Sequence, residues 1–539
     1  MRQTVVRAAL AAAAALLLCG APLAAQAADS LRTEAEAAYR RRDYPASAAL
    51  YLRLTSMTTP SALDLYNAAC SAALAGQPAR ALELLRRALD AGFAEFDLLL
   101  ERDTDLASLR ALPEWGAIAA TARERAAAQE RVLAELPSAA PVLRDMESAG
   151  YLATWLSLEE MDAAHPEAPE QWRASLRELR GWVRAMVGDA AGALALEPRD
   201  ARPPAELPGE FDALTPVPAV QAILDAARER RLVMVNEGHH VPQGRVLTLQ
   251  LLRGLYDLGY RYLAVEALSS RSGDALAANR YPVLSTGMYT REPVFGQLLR
   301  EALRMGYTLV PYDTYPAGCR PTADDPNRCN SLRDSMAAEN IHARTFAIDP
   351  GARVLVHAGY SHVVKVPRPG GTQWLASWLE RRGLAPLSID QTEMRERGAP
   401  ALEPRPYRRA EERGWLAEPV VLRDGEGWYR STAEGFGSVD FQVFTPRTRT
   451  VQGRPDWLFS RAGRTPIPLD AAIADAVSRG EGPYLVQAFL ADESDDAVPV
   501  DQFVVAGGVL PVLALIPGRY RIVAANRAGV VARSALTVP

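Results

Sequence analysis

Between residues 215 and 400 the sequence alternates helical periodicity with short apolar runs, the sequence form of a mostly parallel sheet with helices packed on it. The helical stretches run roughly over 217–230, 245–258, 291–305 and 333–347, and the apolar runs are Leu232–Val235, Tyr262–Val265, Thr308–Pro311 and Val354–Val356. Parallel strands end on one side of their sheet, and ligands bind in the crevice there. Each run is followed at once by ionisable groups: Glu237, His239 and His240 after the first, Glu266 after the second, Asp313 after the third, His357 and His362 after the fourth. Five of the six histidines of the chain fall within 239–362. Four separate segments are therefore expected to deliver polar groups to one pocket.

Those residue types suit proton transfer to and from water. An imidazole titrating near neutrality takes up a proton, and a neighbouring carboxylate fixes its tautomer and stabilises the imidazolium. His240 beside Glu237 or Glu266 fits that pairing. Arg245, five residues past His240, offers a fork of donors for a substrate carboxylate or a developing oxyanion. His239 and Asp313 are further candidates for substrate binding. Gly359-Tyr360-Ser361-His362-Val363 begins like a nucleophile elbow but lacks its second glycine, so no serine nucleophile is expected. The alternative chemistry for the same residues is ligation, with His239, His240, His357 and His362 as candidate ligands of a divalent metal or, less favoured, haem.

The rest of the chain sets the context. A length of 539 residues exceeds what one hydrophobic core fills, so several domains are expected. Lys plus Arg number 60 against 65 for Asp plus Glu, an acidic balance that argues against nucleic acid as a partner. Residues 1–27 carry Arg2 and Arg7, an apolar run from Ala8 to Leu18 and the small-x-small site Ala25-Gln26-Ala27, which reads as a cleaved export signal. Cys19 follows Leu18 where a lipoprotein signal needs a small residue, so a soluble periplasmic or secreted protein is expected. Later apolar runs are too short to span a bilayer. In an oxidising compartment, Cys319 and Cys329 in a Pro/Asp/Asn-rich loop are expected to form a disulfide, and Cys70 to be a buried small hydrophobe.

Asp43-Tyr44-Pro45-Ala46-Ser47-Ala48 recurs as Gly76-Gln77-Pro78-Ala79-Arg80-Ala81, and Tyr66–Phe93 with its small residues and leucines resembles a tetratricopeptide repeat. Such arrays present grooves for protein partners, so this region is a candidate partner surface. At the other end, Tyr484–Leu490, Leu510–Ile516, Tyr520–Ala525 and Val530–Thr537, the last two around the turn Asn526-Arg527-Ala528-Gly529, predict a β-rich, sandwich-like tail.

Four motifs of the middle region together resemble the erythromycin esterase and ChaN-like superfamily. They are Asn236-Glu237-Gly238-His239-His240, Ala264-Val265-Glu266, Arg333-Asp334-Ser335-Met336-Ala337-Ala338-Glu339-Asn340 and Val356-His357-Ala358-Gly359-Tyr360-Ser361-His362. The resemblance implies a hydrolase in which Glu237 and His240 match the esterase pair, with His240 as general base, and His357 and His362 match a late histidine pair. Here that pair is five residues apart where the esterases have three, and His239 is an additional histidine as in haem-binding ChaN-like members. The superfamily also includes metal-dependent proteases of the Tiki type.

The expected organisation is a signal peptide at 1–27, tetratricopeptide-like helices at 28–135, a helical linker at 136–210, an esterase-like α/β domain at 211–465 and a β-rich domain at 470–539. Its expected function is hydrolysis of a small-molecule ester or amide by histidine-activated water. A haem- or metal-binding protein without turnover and a repeat scaffold with a vestigial pocket are the alternatives. The loop closed by Cys319 and Cys329 is expected to stabilise the fold by up to roughly 3 kcal/mol. Denaturant unfolding of a Cys319→Ser/Cys329→Ser variant checks this, and an unchanged midpoint would count against it.

Overall fold

The computed structural model describes residues 28 and 30–539, apart from 58–59, 94–95, 97, 135–138, 198–206, 267, 269–275, 277, 317–318, 320–326, 367–370, 426, 432–436, 480–481 and 508–509. The expected export signal lies outside these residues. The chain forms two compact units, Met1–Leu136 with Glu167–Arg173, and Pro137–Pro166 with Ala174–Pro539.

The first unit is helical, with α1 (Tyr44–Met57), α2 (Ala62–Leu74), α3 (Pro78–Asp90) and α4 (Trp115–Ala134). Ser61 caps α2 by accepting the Asp64 backbone N–H at 3.0 Å, and Pro78 opens α3 where no intrahelical donor is needed. The turn between them needs Gly76 at φ 73°, and Arg42 takes the same left-handed conformation 34 residues earlier, before α1. Ala68, Ala69 and Ala72 of α2 let α3 approach closely, and Leu82, Leu84, Leu85 and Leu89 bury against them. Cys70 is a buried free thiol.

The second unit opens with α5 (Ala139–Ala164) and the part of α6 (Glu170–Met186) from Ala174 on. Its centre is a six-stranded, wholly parallel sheet: β1 (Leu232–Glu237), β2 (Tyr262–Val265), β3 (Thr308–Pro311), β4 (Val354–Gly359), β5 (Leu387–Asp390) and β6 (Phe441–Gln442). The spatial order is β3-β2-β4-β1-β5-β6. Alternate residues face opposite layers, as the pleat requires. Val233, Val235, Leu263, Val265 and Leu355 meet α7 (Ala219–Ala227), α8 (Gln243–Asp257) and α9 (Pro293–Met305). Leu232, Met234, Ala264, Val354 and Val356 meet α10 (Arg328–Arg344) and α11 (Leu375–Arg381). The chain leaves β1 toward β2 on one side and leaves β4 toward β5 on the other. The crevice between β1 and β4 is thus the switch point where a doubly wound sheet takes its ligand.

Two strands run further than the sequence suggests. β1 continues through Glu237, and β4 continues through His357 to Gly359, so His357 lies inside a central strand, paired with Val235 and Val265. Polar residues extend these strands because buried side-chain partners, described below, replace the water they lose. Phe441 and Gln442, far along the chain, join the same sheet as β6 beside β5.

The C-terminal part is an antiparallel sheet of β7 (Tyr484–Leu490), β8 (Asp501–Val505), β9 (Gly518–Asn526) and β10 (Gly529–Val538), in the order β8-β7-β9-β10. Its last hairpin turns at Arg527-Ala528, where Asn526 Oδ1 accepts the Ala528 N–H. This sheet packs within the second unit: Gln502 Nε2 donates to the Met186 carbonyl at 2.6 Å and Arg300 pairs with Glu493. Cys319 and Cys329 are disulfide-bonded. Among the described residues no helix is long and apolar enough to cross a membrane.

Segment 174–197 belongs to the second unit, where Glu197 is buried and held by Arg395 and Arg397. A chain beginning at residue 206, just ahead of the α/β domain the sequence suggests, lacks Glu197 and leaves the buried Arg395 without its counter-charge and Arg397 with Glu393 alone, a loss of about 3 kcal/mol. A chain beginning at 137 is expected to unfold cooperatively near the full-length midpoint, and one beginning at 206 to be markedly less stable or insoluble. Equal stability of the two would contradict the role assigned to Glu197.

Candidate functional site

The centre of the site is an ion pair with no access to water. Arg245, on the first turns of α8, has no exposed surface. Its Nε donates to Glu237 Oε2 at 2.6 Å, its Nη2 to Glu237 Oε1 at 3.1 Å and to the His239 carbonyl at 2.9 Å, and its Nη1 to Glu292 Oε2 at 2.9 Å. Glu292 also caps α9 by accepting the Phe295 N–H at 2.8 Å. Burial opposes ionisation of Glu237, but Arg245 and the flanking His239 and His357 hold its carboxyl well below the usual range. Arg245 is engaged in this pair and cannot meet a substrate carboxylate without releasing Glu237.

Two histidines read the other edges of Glu237. His239 Nδ1 lies 3.1 Å from Oε1, and His357 Nε2 lies 3.4 Å from Oε2 without hydrogen-bond geometry, while His357 Nδ1 meets Thr248 Oγ1 at 3.0 Å. The His239 ring stacks on Tyr289 at 3.7 Å between centroids and takes the edges of Trp182 and Tyr360 at 5.8 and 5.0 Å. Its far edge fills the space above Gly359. A Cβ at 359 would stand 2.3 Å from His239 Cε1, 2.6 Å from Nε2 and 3.0 Å from Glu266 Oε2, so only glycine permits this approach.

Glu266 is the second buried carboxylate. Oε2 accepts the Gly359 backbone N–H, and Oε1 accepts from Arg333 Nη2 at 2.7 Å and lies 3.4 Å from His362 Nε2. Arg333 also forks onto Asp313 at 2.8 and 2.6 Å, and His362 Nδ1 pairs with Asp334 at 2.7 Å. Burial opposes a charge on His362, but Asp334 and Glu266 overcome it and push its pKa up to about 10. Burial likewise opposes the charge of Glu266, which His362 chiefly restores. Burial pushes the Asp313 carboxyl up against the pull of Arg333. Glu237, His239 and His357 thus form one cluster, and Glu266, His362 and Asp313 a second joined through Arg333; His239 lies where the two meet.

His240 points elsewhere. Its Nδ1 lies 3.1 Å from the Tyr360 hydroxyl, and its buried Nε2, 3.9 Å from Glu197 Oε1, has no hydrogen-bond partner among the described residues. Burial, reinforced by Arg395, pushes its pKa down to about 3. It borders a cavity of about 300 Å³ shared with Asp189, Glu396, Thr448, Arg454 and Trp457. A neutral imidazole this reluctant to take a proton is a weak general base. Tyr360 separates cavity from charged clusters and holds the unusual φ of 38°, a strain of the kind found at functional sites. Its carbonyl accepts from Asn236 Nδ2 at 2.7 Å, and Asn236 also bonds Asp390 at 2.8 Å.

Among the described residues of this region, His239, His240, His357 and His362 with their acidic neighbours do not bring three ligand atoms within 4.8 Å of one another. Their nitrogens face carboxylates or hydroxyls instead, so this arrangement does not fit a three-ligand divalent metal centre.

Sequence reasoning names Glu237, Glu266 and the histidines but passes over Arg333 and Asp334 as site residues, although the Arg-Asp motif carries them. It also misses Tyr360, Tyr289, Trp182, Glu197 and Glu292. Glu292 had a signal, an acidic residue just before Pro293 at a helix start. The aromatics had none.

No family model and no curated protein matches the chain. Among solved structures, one described as the structure of the type III effector HopBA1 is 18% identical, covers 33% of this chain and 87% of its own, with a TM-score of 0.24. Two described as bacterial protein toxins are each 13% identical, covering 68% of this chain and 90% of theirs, with TM-scores of 0.27 and 0.26. Likenesses this low carry nothing about function.

The two shifted histidines give opposite pH limbs. His362 is protonated in the fold up to about 10, against about 6.5 unfolded, so its contribution is complete below pH 6.5 and lost as pH rises toward 10. His240 stays neutral in the fold down to about 3, so its contribution is complete above pH 6.5 and lost as pH falls toward 3. Denaturant unfolding across pH should therefore fall off on both sides, by at most about 1.4 kcal/mol per pH unit from each histidine. His362→Gln should flatten the limb between 6.5 and 10, and His240→Gln the limb between 3 and 6.5. Limbs unchanged in these variants would refute the assignments.

Proposed function

We propose that the chain is an exported hydrolase of esters or amides in which His239, rather than His240, takes the proton from water. One observation carries this reading: Glu237 meets His239 Nδ1 while the opposite ring edge lies over Gly359 beside Glu266. A carboxylate on one ring nitrogen holds the tautomer whose other nitrogen accepts a proton, and it stabilises the imidazolium that results. Arg245 keeps Glu237 ionised for that task. The proton then passes from His239 to the leaving alkoxide or amine.

Membership of the erythromycin esterase and ChaN-like superfamily belongs to the same proposal, as do a tetratricopeptide character for α1–α3, a sandwich-like character for the tail and a periplasmic or secreted location. The Cys319–Cys329 disulfide supports that location. The substrate is a small molecule.

The test is hydrolysis of a broad ester and amide panel by wild type, His239→Gln, His240→Ala and Glu266→Gln, with and without chelator. His239→Gln should fall by about 10²- to 10⁴-fold, the usual contribution of a general base, and His240→Ala by less than about tenfold. Glu237→Gln is a poor probe, since it leaves Arg245 buried with half its counter-charge. Loss of activity in His240→Ala with activity kept in His239→Gln would reverse the assignment. A wild type that turns over nothing on the panel would end the hydrolase reading.

A further inference from the structure

A further cavity lies in the helical unit, far in sequence from the clusters above. It has a volume of about 580 Å³, and three of its walls are the rings of Tyr39, Tyr51 and Tyr66. At its floor, Cys70 Sγ and one carboxylate oxygen each of Asp103 and Asp105 lie within 4.8 Å of one another. Glu36 adds a third carboxylate to the lining, and Arg40, exposed at the rim, is the one cation.

The carboxylates here accept from neutral donors, while the Arg110 guanidinium donates to the Asp103 backbone carbonyl at 2.8 Å. Asp103 Oδ2 accepts from the Tyr66 hydroxyl at 2.8 Å and from the Cys70 thiol at 3.3 Å, its Oδ1 accepts the Asp105 N–H at 2.9 Å, and Asp105 accepts from the Tyr39 hydroxyl. Among the described residues neither Asp103 nor Asp105 makes an ion pair, although both are half-buried. Elsewhere in this unit the buried carboxylate Asp64 has its arginine, Arg32, at 2.8 Å. Burial and the nearby Asp103 push the Asp105 carboxyl up against the hydrogen bond from Tyr39. Tyr66 is held rigid by stacking on Phe93 at 4.1 Å, so this wall is formed before any ligand arrives.

Electron-rich rings around unpaired carboxylates are the surroundings that stabilise an organic cation, through the ring quadrupole and direct charge pairing. A bare metal ion would need the thiol proton removed and would leave most of a 580 Å³ space empty. We propose that this cavity binds an organic cation, an ammonium or guanidinium group carried by a small amine or by a lysine or arginine side chain, with Asp103 and Asp105 as the anionic floor and Tyr39, Tyr51 and Tyr66 as walls. The site is independent of the hydrolase reading.

Isothermal titration of the full chain with arginine amide, choline, putrescine and a short acetylated peptide containing one arginine tests this, with sodium chloride and zinc chloride as separate titrants. At least one organic cation should bind with one-to-one stoichiometry, more weakly as salt rises, and the ranking among the four separates a free amine from a peptide side chain. Asp103→Asn/Asp105→Asn should weaken binding at least about tenfold. Because Asp103 anchors Tyr66 and Cys70, Glu36→Gln at the rim and Tyr51→Leu serve as second variants, each expected to weaken binding severalfold without loss of the helical circular dichroism. No binding of any organic cation below millimolar concentration would overturn the proposal. So would saturation by zinc alone with release of the Cys70 proton and loss of zinc binding in Cys70→Ser, which would make the floor a metal site.

Discussion

Everything at the end of the parallel sheet depends on keeping Arg245 charged where no water reaches it. A guanidinium in such a place needs full compensation, and it has it: two oxygens of Glu237, one of Glu292 and the His239 carbonyl, with the Phe295 ring 5.1 Å from its centre. This one residue ties the end of β1, the loop after it and the start of α9 to α8. It also fixes Glu237 in the single orientation from which both His239 and His357 are reached. The pair yields little net stability, since desolvation takes back most of its attraction, but breaking either side leaves an uncompensated buried charge. Its effect is geometric: the distances among Glu237, His239 and Glu266 are set before any ligand enters.

Four of the six strands of the parallel sheet were legible because they are short, mostly apolar runs spaced by amphipathic helices, and their ends announced themselves by an abrupt change from apolar to ionisable residues. The extension of β4 through His357 was not legible. A histidine after Val354-Leu355-Val356 reads as a strand end, and only the Thr248 hydroxyl and Glu237, far away in sequence, make its burial acceptable. The same blindness explains the change of role between His239 and His240. The sequence puts them side by side three residues or fewer from Glu237, and nothing local tells which faces the carboxylate. That choice is made by Tyr289 stacking on one ring and by the Tyr360 hydroxyl meeting the other, contacts between distant segments. Trp182 on α6 and Glu197 after it lie in a stretch whose helical pattern carries no chemical signal.

Charge is distributed in layers around the crevice. Nearest the sheet, Glu237 and Arg245 neutralise each other; next, Glu266 is shared between Arg333 and His362, which are themselves matched by Asp313 and Asp334. Removing one partner therefore shifts the charge state of the next, and the clusters titrate as groups. His240 sits outside this chain of pairs, on the cavity side of Tyr360, and the low basicity imposed by Arg395 and its burial keeps it uncharged where Glu197 is already satisfied.

The order of the strands has a consequence for how the molecule comes to exist at all. β1 lies between β4 and β5, which follow it by more than a hundred residues, and Asn236 reaches its partner Asp390 across 154 positions. Until that later sequence arrives, β1 has no neighbour on either side, and the polar groups at its end have only the contacts within their own loop and helix. Closing such long loops before any contact repays them makes folding slow and leaves strand edges exposed meanwhile. The Glu237–Arg245 fork, closed over eight positions, is available from the outset, whereas the encounter of His239 with Gly359 waits for the sheet to be completed. The crevice is thus among the last features to appear during maturation, and a chain interrupted before β4 would carry half of its charged groups with nothing to receive them.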